Sequence, residues 1–288
     1  MGGSGGAAAG SAPPRAAHAS VAATAPGAQR PTVSITNLPY CANADDVYAQ
    51  EHCRLDVYRP ADGPAEAALV WFHGGGLTSG SKEDGPTCRI AASRAADGLW
   101  VAVPNYRLSP RARFPAYLDD DAVAWVWHHG GKHGAPARPL FLAGHSAGGY
   151  LTLMTGLETG RLRQAGVPTD AIARPIPVSG QATTHHTIRA ERGSSRFQII
   201  VDDAAPARWV RRRTPPILLL YASRDMPARA EENVWFAALM AGAGNPHVEA
   251  RCIDHRDHGS AGNNIAMDRD PARQALLEFV RAHAQARP

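Results

Sequence analysis

Long apolar runs are missing from this sequence. No stretch approaches the roughly 18 consecutive apolar residues that span a bilayer, so no membrane-crossing helix is expected. Cysteine is scarce as well. Cys41, Cys53, Cys88 and Cys252 are the only four in 288 residues, and no two form a Cys-x-x-Cys pair, which argues against a zinc or thiol-redox centre. Cys41 and Cys53 flank a short loop: joined, they would point to an oxidising compartment, and as thiols they would be small apolar fillers. Neither sign of charge dominates, with 30 Lys and Arg against 26 Asp and Glu and a net of +4. The one dense basic run, Arg211, Arg212 and Arg213, reads as a solvated face, so no nucleic-acid partner is expected. Residues 1–29 contain no aromatic side chain and little to bury. Ordering them would cost entropy that no contact repays, so residues 1–30 are expected to form a flexible low-complexity tail. That tail has no apolar core of a secretory signal. Compartment and oligomeric state stay open.

What remains, residues 31–288, suits one large α/β domain. Continuous apolar runs at 68–72, 100–103, 140–143 and 217–221 predict buried strands, and alternation at 54–58 predicts an outer one. Residues 176–179 and 248–253 are weaker strand candidates. Helical patterns lie near 87–97, 118–129, 147–158, 230–241 and 271–284. Such alternation implies a mostly parallel sheet with helices on both faces. Residues 160–215 exceed what one connection needs and are expected to add extra helices over the strand ends as a partial cap.

The chemistry-bearing motif follows the strand at 140–143: Gly144-His145-Ser146-Ala147-Gly148-Gly149, leading into a helix. This is Gly-x-Ser-x-Gly in its strand–turn–helix setting. The turn is too tight for side chains beside the serine, and the following helix directs its positive end at the reacting carbon. A second glycine run, His73-Gly74-Gly75-Gly76, comes straight after the strand at 68–72. Attack by a serine on a carbonyl creates an oxyanion, which needs backbone N–H donors already in place. Gly75, Gly76 and Ala147 are the candidate donors.

A serine needs a base to take its proton, usually a histidine. Of 13 histidines, His258 lies beyond the strand candidate at 248–253, and Asp225 lies just beyond 217–221. The order Ser146, Asp225, His258 is the nucleophile–acid–base order of this architecture. His255 is the rival base, closer to its strand end. Asp254 and Asp257 flank the base, either assisting it or solvating the loop. Asp119, Asp120 and Asp121 are expected to open a helix, where negative charge is stabilising. His128 and His129 belong at a solvated helix end. Gly74, His145 and His185 are the candidate substrate contacts. His145, at the variable position of the elbow, reads as a packing or hydrogen-bonding residue in preference to a base, and His185 with His186 reads at least as well as a surface loop. No His and carboxylate set has metal-ligand spacing, so no metal is expected.

Trp71-Phe72-His73-Gly74-Gly75-Gly76, Asn105-Tyr106-Arg107-Leu108-Ser109-Pro110 and Gly144-His145-Ser146-Ala147-Gly148-Gly149-Tyr150 resemble the carboxylesterase and hormone-sensitive-lipase-like branches of the α/β-hydrolase superfamily. The resemblance runs from about Leu55 to His258. It implies an eight-stranded, mostly parallel sheet, a Ser-His-Asp triad, a structural role for Tyr106-Arg107-Leu108, and hydrolysis of small-molecule esters, often with short acyl groups, without a cofactor. Two departures stand out. The long N-terminal cap of many hormone-sensitive-lipase relatives is not evident, and Ser223-Arg224-Asp225-Met226-Pro227 is an unusual setting for the acid. The alternatives are an amidase, formamidase or peptidase with the same triad, or a non-catalytic small-molecule-binding member of the fold.

Overall fold

The computed structural model describes residues 1–2, 19–22, 30–41, 46–119, 122–137, 140–168 and 172–284. Most of the expected tail therefore lies outside the described residues, as do Asp120 and Asp121. Among the described residues one sheet of nine strands organises the fold: β1 (Ala19–Ala22), β2 (Thr32–Pro39), β3 (Arg54–Pro60), β4 (Ala68–Phe72), β5 (Trp100–Pro104), β6 (Leu140–His145), β7 (Ile172–Val178), β8 (Ile217–Arg224) and β9 (Val248–Asp257), in the order β1-β2-β3-β5-β4-β6-β7-β8-β9. From β5 onward every pairing is parallel, whereas β1, β2 and β3 join antiparallel at one edge.

The eight strands β2–β9 match the expected count, and β1 is an addition. It departs from the tail expectation, with Ala19 opposite Ile35 and Ala22 opposite Thr32. An edge strand's unpaired main-chain groups accept a partner without any side-chain pattern, which is why composition gave no sign of it.

β4 and β6 alternate their side chains between two cores, and β8 sends Leu218 and Leu220 into the second of these and Ile217 and Leu219 into a third. Ala68, Val70 and Phe72 of β4 enter one, with Leu140 and Leu142 of β6. Leu69 and Trp71 enter the other, with Phe141 and Ala143. Both faces are thus apolar, which is why these strands read as continuous apolar runs. Among the described residues ten helices connect and cover the strands: α1 (Val47–His52), α2 (Gly85–Ala96), α3 (Ala116–Asp119), α4 (Ala122–His129), α5 (Ala147–Leu157), α6 (Gly160–Gln164), α7 (His186–Glu191), α8 (Arg229–Gly242), α9 (His258–Asn263) and α10 (Pro271–Ala284). Side chains of α3 to α6 fill the first core, and those of α2, α9 and α10 fill the second. The helix expected at 118–129 is matched by α3 and α4, which lie on either side of Asp120 and Asp121. Asp119 lies in the first turn of α3, where negative charge is stabilising, and it pairs with Arg161.

Within the expected cap, α6 and β7 belong to the main alternation. The extra length lies between β7 and β8, where α7 and a 3₁₀ turn at Pro206–Trp209 occur. Cys41, Cys53, Cys88 and Cys252 are thiols, and no disulfide joins them. Among the described residues no helix is long and apolar enough to cross a membrane.

Candidate active site

β6 runs directly into Ser146, whose φ of 57° and ψ of −115° place it in a conformation that non-glycine residues rarely hold. Its surroundings enforce this. The Ser146 N–H donates to the Val178 carbonyl at 2.8 Å, while the chain turns at once into α5. α5 is buried on every side except at Thr155, so it passes through the core beside the sheet. The approach is close enough to dictate residue type. A Cβ on Gly148 would sit 2.0 Å from the Phe72 carbonyl oxygen, and one on Gly144 would sit 2.6 Å from the Gly148 backbone.

The structure brings the three expected side chains together. Ser146 Oγ is 2.9 Å from His258 Nε2, and His258 Nδ1 is 2.6 Å from Asp225 Oδ1. Burial by itself would raise the Asp225 carboxyl. Hydrogen bonds from His258, the Ser179 hydroxyl (2.5 Å to Oδ2) and the Met226 N–H (2.8 Å to Oδ1) outweigh it and hold the group at about 2. Asp225 is therefore a fixed anion, able to orient the ring and stabilise its charged form.

Two elements deliver the base. β9 ends at Asp257, which caps α9 by a reciprocal box: its Oδ1 accepts the Ser260 N–H at 2.8 Å, and Ser260 Oγ accepts the Asp257 N–H at 3.0 Å. Asp257 thus positions the helix that carries His258 and has no direct bond to the ring. His255 and Asp254 are exposed, and the His255 carbonyl accepts from Arg224, so neither takes part in the triad contacts.

The glycine loop after β4 lies against the elbow. Gly75 and Gly76 have φ of 110° and 65°, and the Gly75 carbonyl accepts the N–H groups of Thr78 and Ser79 in a tight turn. Among the described residues, the N–H groups of Gly75, Gly76 and Ala147 donate to no acceptor, which leaves three donors for an incoming oxyanion. Gly74 sits beside the nucleophile, where an added Cβ would lie 3.7 Å from that of Ser146. Tyr106 supports the loop from below, its ring stacked on His73 at 4.2 Å and its hydroxyl donating to the His73 carbonyl at 2.9 Å. The Asn105 side chain accepts the Lys82 N–H at 2.6 Å. These contacts give the Asn105–Tyr106 segment its structural part.

Two expected substrate contacts face elsewhere. His145 lies behind the base: its Nε2 donates to the His258 carbonyl at 2.7 Å, and burial lowers its pKa to about 4. His185 is buried between Tyr150 and His186, and its Nδ1 accepts the Thr187 N–H as the cap of α7. Burial drives its pKa well below the usual imidazole value. It is the neighbouring His186 that reaches the oxyanion loop, with Nε2 3.7 Å from the point where a Gly76 Cβ would be.

Three further residues escaped the sequence reading. Buried Ser179, at φ 51°, donates to Asp225 through its hydroxyl, while its carbonyl accepts from Arg229 Nη1 at 2.8 Å. Thr187 Oγ1 donates to the Gly76 carbonyl at 2.5 Å. Ser179 alone had a usable signal, since it follows a parallel strand at the end where ligands bind.

A family model described as the alpha/beta hydrolase fold matches residues 69–261. Esterase LipC of Mycobacterium tuberculosis is 29% identical over 228 residues, which cover 71% of this chain and 56% of that protein. Ethyl acetate hydrolase of Pseudomonas putida is 36% identical over 198 residues, covering 59% of this chain and 60% of that one. The chain thus spans little more than half the length of these relatives. Among solved structures, a truncated carbohydrate esterase from gut microbiota superposes with a TM-score of 0.73 at 17% identity, over 88% of this chain and 96% of its own. An esterase from the archaeon Pyrobaculum calidifontis gives 0.62 at 25% identity, over 88% and 85%.

Proposed function

The chain belongs to the α/β-hydrolase fold family, and from that premise we propose that it is a serine carboxylic-ester hydrolase acting on small esters with short acyl groups. One observation carries the reading: an unbroken line of hydrogen bonds from Ser146 Oγ through both ring nitrogens of His258 to an ionised Asp225. A binding protein has no need of this relay. The names of the relatives, an esterase and an ethyl acetate hydrolase, support ester substrates with small groups.

In the mechanism, His258 Nε2 takes the Ser146 proton as Oγ attacks the ester carbonyl, and Asp225 steadies the imidazolium that forms. The N–H groups of Gly75, Gly76 and Ala147 receive the oxyanion, the last at the positive end of α5. His258 then returns its proton to the departing alcohol. Water, activated by the same ring, attacks the acyl-serine, releases the acid and restores Ser146.

Ser146→Ala tests this with p-nitrophenyl acetate or butyrate as substrate. Turnover is expected to fall by about 10⁴-fold or more while the circular dichroism spectrum is unchanged. Undiminished hydrolysis by the folded variant would refute the assignment.

A further inference from the structure

The Thr187 hydroxyl tethers α7 to the Gly76 carbonyl, and this tether sets the His186 ring against the oxyanion loop. Gly76 has no side chain, so a gap opens there. Nε2 of His186 and Oγ1 of Thr78 lie 3.7 and 3.6 Å from the position a Cβ would take. On the other side of the ring, Nδ1 is 3.2 Å from Oε1 of buried Gln181. An amide oxygen only accepts, so Nδ1 carries the ring proton and Nε2 presents a lone pair to the gap. No group among the described residues hydrogen-bonds that lone pair. The ring also stays neutral: burial first, then the positive charges of Arg196, Arg229 and Arg189, lower its pKa to about 4.

An ester offers only acceptor oxygens at its reacting centre, and a lone pair aimed at the same place repels them. The matching ligand group is a donor. We propose that His186 Nε2 accepts a hydrogen bond from a substrate hydroxyl close to the scissile ester, and so favours partial esters of polyols or esters of hydroxy acids over plain alkyl esters. The proposal rests on the ester-hydrolase reading and adds the class of substrate to it.

Two matched pairs test it by pH-stat: 2-hydroxyethyl acetate against ethyl acetate, and methyl glycolate against methyl acetate. The unsubstituted protein is expected to prefer the hydroxylated member of at least one pair by about tenfold in kcat/KM, the worth of one neutral hydrogen bond. His186→Phe keeps a flat ring and removes the acceptor, so the ratio should fall toward one. A ratio near one in both pairs before substitution overturns the proposal, as does a preference that survives in His186→Phe. Nitrogen-15 shifts of the His186 ring provide a reading that does not depend on the variant folding. An unprotonated Nε2 is expected at pH 7, and a protonated Nε2 would contradict the assignment. The two readings fail separately. Loss of turnover on every ester would strike the proposed function, whereas equal turnover within each pair strikes the His186 role alone.

Discussion

The elbow between β6 and α5 and the connection between β7 and β8 touch where Gly149 meets Gly180, an added Cβ on the former lying 2.9 Å from the latter, yet they are held by different means. At the elbow, main chain lies on main chain: Gly148 passes under Phe72 with no room for a methyl group. In the connection, side chains reach over long sequence distances. Thr184 Oγ1 donates to Asp202 at 2.6 Å, Thr183 Oγ1 to Glu232 at 2.7 Å, and the Tyr150 hydroxyl to the Ala204 carbonyl at 2.7 Å. Main-chain crowding admits one residue type and leaves a motif. Side-chain pairing is met by many combinations and leaves none. The triad spans both regions, because Asp225 takes one hydrogen bond from Ser179 at the head of the connection.

The comparison can be broken at several points. Asp225→Asn should have the largest effect, lowering kcat on p-nitrophenyl acetate by about 10⁴-fold with the fold retained, because the His258 tautomer is no longer fixed. A loss under tenfold would show that the relay is not needed. Gly148→Ala should destabilise the protein by about 3 kcal/mol in urea denaturation, since strand and helix must separate to admit a methyl. A change below 1 kcal/mol would remove the distinction between the two regions.

The pH dependence is next in size. Folding depresses the Asp225 carboxyl from 3.8 to about 2, so its contribution is complete above pH 4 and is lost as pH falls through 2. Its amount is about 2 kcal/mol, read as a steeper acid limb in the unsubstituted protein than in Asp225→Ala. Parallel limbs would contradict it. Thr187→Val should have the smallest effect, about 1 kcal/mol of stability together with a severalfold rise in KM as the α7 tether to Gly76 is cut. A loss equal to that of Gly148→Ala would mean that the connection is as constrained as the elbow.

The same contrast explains what could be read from the sequence. β4, β5, β6 and β8 are apolar on both faces, so their runs stand out. β2 alternates only briefly, at Thr32-Val33-Ser34-Ile35-Thr36, and is half-buried along most of its length, so its pairing with β3 defines it more than its pattern does. α9 is built from His258-Gly259-Ser260-Ala261-Gly262-Asn263, of which all but Ala261 are weak helix formers, held by the Asp257 box and by packing. Ser146 and His258 are 112 residues apart and meet because their strands end on the same side of a parallel sheet, a regularity open to sequence reasoning. Whether the ring at 185 or at 186 faces the loop depends on a cap and a tether that pattern does not record.

The central claim is that Ser146 is an activated nucleophile. Treatment with a fluorophosphonate probe, followed by mass spectrometry of the peptides, tests it most directly. One equivalent of label on Ser146 is expected, appearing in step with loss of p-nitrophenyl acetate hydrolysis and suppressed in His258→Ala. Hydrolysis that persists in fully labelled protein, or inactivation with the label on another residue, would contradict it.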